Sequence, residues 1–185
     1  MSERFNVILD TPPDENWRGV IEKTDFKQVL KFFRLTALSD EEMSVEDKAA
    51  ATVRLFFNRM PNPDIDLMKE ISLFISCGEE IKNDGEESAK VFDYNVDHGR
   101  IFAAFWQTYG IDLRVASMHW WVFCEMLNAL PEETKLVQYI QLRGKKPSKD
   151  DSPEYKKELR RMQAAISLED ENGDSGMDKL FNAWG

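Results

Sequence analysis

The chain has 185 residues and a net charge of −10, from 24 basic and 34 acidic side chains. Phosphate backbones and anionic membranes recruit Lys and Arg, so this balance argues against either as the main partner and favours a basic or apolar protein. With 12 Phe and 5 Trp the chain has material for one sizeable core, yet no stretch reaches the ~18 apolar residues of a membrane span. Both cysteines, Cys77 and Cys124, fall in apolar helical contexts and are expected to be buried free thiols of a reducing compartment. The first residues, Met1 to Arg4, carry no apolar leader, so an intracellular, soluble chain is expected.

Residues 4–9 have the composition of a short strand, and Thr11, Pro12 and Pro13 break it, so residues 1–22 read as an extended N-terminal arm or edge piece. A first helix is predicted from Thr24 as N-cap, with Phe26, Val29, Leu30, Phe33 and Ala37 spaced three and four apart. Ser39 and Ser44 both precede helix-start chemistry; Ser44 is preferred as the cap of a second helix carrying Ala49, Val53, Phe56, Phe57 and Met60. Pro61 ends it. Pro63 opens a third helix with Ile65, Met68, Ile71 and Ile75 on one stripe, stopped by Gly78. Residues 79–90 form a charged break, with packing expected across it because either half alone would expose wide apolar faces. A fourth helix spans residues 97–109, its face made of Ile101, Phe102, Phe105, Trp106 and Tyr109. Pro131 separates a central helix from a sixth over residues 132–142. After a basic linker, Ser152 opens the last helix with Tyr155, Leu159, Met162 and Ile166 aligned. The expectation is a single compact, mainly-α domain of six or seven helices over residues 23–166, followed by an acidic tail over 167–185.

On a wheel at 100° per residue, residues 115–130 are apolar over most of the circumference: His119, Trp120, Phe123, Leu127 and Leu130, flanked by Met118, Val122 and Met126. Such a helix is expected at the centre, with Trp120, Phe123 and Leu127 buried against Phe102, Phe105 and Trp106. Its narrow polar strip holds Ser117, Glu125 and Asn128, with Trp121 in the middle of it.

Catalytic or metal chemistry has no footing in the pattern. His98, His119, Cys77 and Cys124 lack the spacing of a metal set and read as unconnected core residues. A calcium-loop reading of residues 93–104 fails because Gly99 falls one place late and Ala104 stands where a bidentate Glu is needed. Asp170, Asn172 and Asp174 fail too, with Ser175 in the glycine position. No phosphate-cradling glycine loop or nucleophile elbow occurs, so no catalytic, cofactor or metal residue is assigned and the chain is not read as an enzyme. The basic residues between Arg143 and Arg161 are interleaved with Asp150, Asp151, Glu154 and Glu158, and read as a solvated helix face in preference to a docking surface.

Val91, Phe92, Asp93 and Tyr94, then Ala103 to Phe105, Tyr109 to Leu113, His119, Trp120 and Trp121, Leu130 to Lys135, and Ile140 to Arg143 together resemble the bacteriophage gene-product-fifteen family over residues 20–166. The resemblance implies a protein of siphophage and prophage tail modules, encoded near the tape-measure gene. That position implies a tail assembly chaperone that covers the tape-measure protein in the cytoplasm of the bacterial host and is absent from the mature virion. The alternative is a structural tail component that stays in the particle. Tape-measure and other tail proteins would be the partners, without nucleic acid, membrane or cofactor. A tape-measure protein is long and apolar along one side, and an acidic helical protein with an aromatic groove could cover it in the helix-in-groove mode.

The candidate partner residues are Trp121, Glu125, Asn128, Phe181 and Trp184. A tryptophan in a polar strip needs a cover, and three are open: a neighbouring helix of the same domain, a partner helix, or the chain's own Leu180, Phe181 and Trp184 acting as a plug.

Overall fold

In a computed structural model of the chain, residues 21–38, 44–62, 65–79 and 90–168 are described. They form seven helices: α1 Phe26–Leu38, α2 Val45–Phe56, α3 Ile65–Ile75, α4 His98–Tyr109, α5 Trp120–Asn128, α6 Lys135–Gly144 and α7 Pro153–Ala164. The mainly-α reading holds. The predicted strand over residues 4–9, the Pro63 helix start and most of the 79–90 break lie outside the described residues.

Local chemistry sets most helix ends. The Ser44 hydroxyl accepts the amide of Asp47, the Ser152 hydroxyl that of Tyr155, and the Thr134 hydroxyl that of Val137, each supplying a partner to an amide with none inside its helix. Thr134 also moves the start of α6 from the predicted residue 132 to Lys135, since residues 131–134 form a turn closed by the Thr134 amide on the Pro131 carbonyl. Gly78, at φ 81°, returns its N–H to the carbonyl of Leu73 and stops α3 as predicted. Gly110, at φ 68°, does the same for α4 through the carbonyl of Trp106.

Thr24 is not the cap of α1. The Asp25 carboxylate takes that place, accepting the Lys27 amide at 2.9 Å. Its other oxygen accepts the Ser117 hydroxyl at 2.6 Å and the Met118 amide at 3.2 Å. An antiparallel bridge joins Asp25 to His119: the Phe26 amide donates to Met118 and the Trp120 amide to Thr24. These bonds shorten the central helix. Residues 115–118, predicted helical, turn at Asp112 and then pair with the segment before α1; α5 runs only from Trp120 to Asn128, with His119 as its N-cap.

The core is aromatic. The Phe123 ring stacks on Phe26 at 4.9 Å, on Phe105 at 5.0 Å and on Trp120 at 5.5 Å, drawing α1, α4 and α5 onto one centre. Phe33 stacks on Tyr94 at 4.7 Å, and both rings lean on Trp120. Trp120, Phe123 and Phe105 are buried as expected. Leu127 is only half-buried, and Trp106, expected in the core, is 53% exposed. The α5 ring of Phe123 meets Phe105 on the inner side of α4, while Trp106 lies on its outer side.

Candidate functional site

The densest group of chemically distinctive side chains lies where α3 ends against the start of α5. The Trp120 indole N–H donates to the carbonyl of Ile75 and that of Trp121 to the carbonyl of Phe74, both at 2.9 Å. The last turn of a helix leaves such carbonyls without helical partners, so two consecutive indoles cap α3 from outside. Trp121 is 7% exposed, its ring against Phe74 at 6.2 Å and over Gly78. A Cβ at Gly78 would stand 3.4 Å from the indole edge. Of the three covers considered for this tryptophan, the neighbouring helix is the one observed. Trp121 keeps its place beside the exposed Glu125 and Asn128, and the end of α3 covers it there.

His119 accepts the Trp121 amide through Nδ1 at 3.2 Å, as an N-cap, and its ring meets Phe74 edge-on. Burial lowers its pKa from 6.5 to about 4, so the imidazole is neutral at physiological pH. Cys77 and Cys124 are free and half-buried at the same junction. A hydrogen bond between their thiols holds the Cys77 thiol below its ordinary value and, with burial, pushes that of Cys124 up. Tyr94, half-buried against Trp120, is pushed up by desolvation. Neutral, tightly packed groups dominate, and the arrangement is better suited to holding two helices together than to moving protons.

A second cluster sits at the other end of α4. Asp97 is fully buried, and its carboxylate receives both guanidinium nitrogens of Arg143, at 2.7 and 3.1 Å, with Arg100 at 3.0 Å. Arg143 also donates to the carbonyls of Val91 and Ile166, tying residues 91–97, α6 and the end of α7 to one charge pair. Sequence reasoning placed Arg143 in a solvated basic face; its side chain is instead 6% exposed. Lys157, Arg160 and Arg161 are exposed, as that reading expects.

On the surface, Trp106 stacks on Phe102, whose ring lies under the Arg114 guanidinium, and Val115 stands out beyond. Among the residues singled out as partner-facing, Glu125 and Asn128 are exposed on α5, Trp121 is buried beside them, and Phe181 and Trp184 lie outside the described residues. Among the described residues no group of three or more His, Cys, Asp or Glu could hold a metal ion, and no helix is long and apolar enough to cross a membrane.

Residues 21–168 match the family model described as Bacteriophage Gp15 protein. The chain belongs to this phage family. No curated protein and no solved structure matches it. The stretches that carry the Gp15 resemblance meet in space around the two clusters above. Tyr94 packs on Trp120, Trp120 and Trp121 cap α3, and Arg143 returns to Val91 and Asp97. In this Gp15 protein those stretches build much of the domain's interior, while Pro131, Glu132, Glu133 and Lys135 within them are exposed.

Proposed function

We propose that this phage protein is a tail assembly chaperone, a binding protein and not an enzyme, that covers the apolar side of the tape-measure protein in the host cytoplasm and leaves before the virion matures. The observation that carries this reading is the family match over residues 21–168, joined to the resemblance to tail-module proteins. The surface supports it. Trp106 is 53% exposed on a stacked Phe102, and an exposed indole on a rigid helix is the kind of anchor that dominates binding surfaces. Glu125 and Asn128 supply polar groups on α5, and the net charge of −10 favours solubility during contact with an apolar client.

The test is binding of the purified full chain to a tape-measure fragment, followed by calorimetry. Trp106→Ala is expected to weaken binding by about 30-fold or more, the loss of a hot spot of about 2 kcal/mol. No binding by the wild-type chain would remove the chaperone reading. Mass spectrometry of purified particles addresses the rest: the protein is expected to be absent, and its presence at fixed stoichiometry would make it a structural tail component.

A further inference from the structure

The outer surface between α1 and α2 carries a cleft of 410 Å³ lined by Lys31, Arg34 and Leu35 of α1 and by Ala51, Arg54 and Leu55 of α2. Its floor is aliphatic and its rim is cationic: Lys31, Arg34 and Arg54 are all exposed, in a chain that is strongly acidic as a whole. None of the three has an ion-pair partner among the described residues. A complementary occupant is a segment with large apolar side chains beside carboxylates.

We propose that this cleft is the docking site of the chain's own N-terminal arm, residues 5–17. The arm has the required pattern: Phe5, Val7, Ile8, Leu9 and Trp17 are apolar, and Asp10, Asp14 and Glu15 are acidic. Its point of attachment favours it over the acidic C-terminal tail. The described chain begins at Ile21, and the amides of Glu22 and Lys23 both donate to the carbonyl of Phe56 at 3.0 Å. The Lys23 ammonium reaches the carbonyl of Arg54 at 3.1 Å. The arm therefore joins the domain at the end of α2 that holds Arg54 and Leu55, two of the residues lining the cleft. Asp14 is seven residues before Ile21, a tether of at most about 25 Å when extended. So short a link gives the arm a high effective concentration at the cleft. The acidic C-terminal tail has the charge but not the position: it leaves from α7, which packs against α6. The inference stands apart from the tail-assembly reading, since it concerns the free chain.

Limited chymotrypsin digestion of the purified full chain, without any partner, tests it. Phe5, Leu9 and Trp17 are the reporter sites. In the double variant Arg34→Glu/Arg54→Glu, cleavage there should quicken about tenfold, because proteolysis follows the undocked population and two ion pairs become repulsions. The thermal melt should fall only slightly, through the carboxylate placed in the last turn of α2 at residue 54. Adding Asp14→Lys and Glu15→Lys should restore the slow rate. An unchanged rate in the double variant would overturn the proposal. So would the same quickening produced by truncating residues 169–185, which would make the tail the occupant.

Discussion

Asp97 and Arg143, 46 residues apart in the chain, meet as a two-pronged ion pair with Asp97 fully buried and Arg143 nearly so. The pair is the knot of the C-terminal half. The guanidinium also donates to Val91 and Ile166, while Asp97 accepts the Asp93 amide and the Arg100 side chain. With four hydrogen bonds to each charge, little hydrogen-bonding capacity is left unmet, which is the condition under which a buried pair is tolerated.

Removing one member should therefore be far worse than removing both. Arg143→Ala is expected to destabilise the fold by about 3–5 kcal/mol in urea denaturation, because Asp97 stays fully buried with only the part-exposed Arg100 as counter-charge. The double variant Asp97→Ala/Arg143→Ala should lose less than the sum of the two single changes. Additive losses would mean the two side chains act independently.

The indole caps give a second expectation. Trp121→Phe keeps a ring over Gly78 but leaves the carbonyl of Phe74 with only the Cys77 amide as donor, which should cost about 0.5–1.5 kcal/mol. The loss should appear as faster amide exchange at the end of α3 before any change in α6 or α7. Uniform exchange across all helices would show that the bond does not hold this junction in particular.

Phe123 is the ring on which three others stack, so Phe123→Ala should cost about 3–5 kcal/mol. Leu127→Ala, at a half-buried position, should cost less. Equal losses by thermal denaturation would place the two side chains at equivalent depth, against the geometry.

The pH dependence follows from His119. Its folded pKa of about 4 lies below the ordinary 6.5, so between these values the unfolded chain binds the extra proton. Stability from this group is complete above pH 6.5 and falls as the pH drops toward 4. His119→Asn keeps an N-cap acceptor and removes the titration. Its melting temperature should therefore decline less than that of wild type between pH 6.5 and 4, and parallel curves would remove His119 as the cause.

How much of this was legible beforehand depended on range. The ends of α2 and α7 were readable because Ser44 and Ser152 act on amides three residues away, and Gly78 and Gly110 stop helices through their own backbone freedom. The burial of Trp120, Phe123 and Phe105 was readable because a wide apolar arc must face a core. Of the candidate partner residues, only the exposure of Glu125 and Asn128 could be read from the wheel.

The sequence by itself determined that the chain is helical, aromatic at its centre and built of stretches resembling a phage family, since these follow from side-chain type, short-range spacing and the combination of motifs. Only the tertiary structure decided where the central helix begins. Residues 115–118 have helical periodicity, but the Asp25 carboxylate and the backbone before α1 take up their hydrogen bonds, and Asp25 is 92 residues from Ser117. It also decided that α3 is what covers Trp121, that Trp106 stays in water, and that Arg143 leaves its basic neighbours for Asp97. In each case the deciding partner is distant in the chain, and periodicity sees only neighbours a turn or two away.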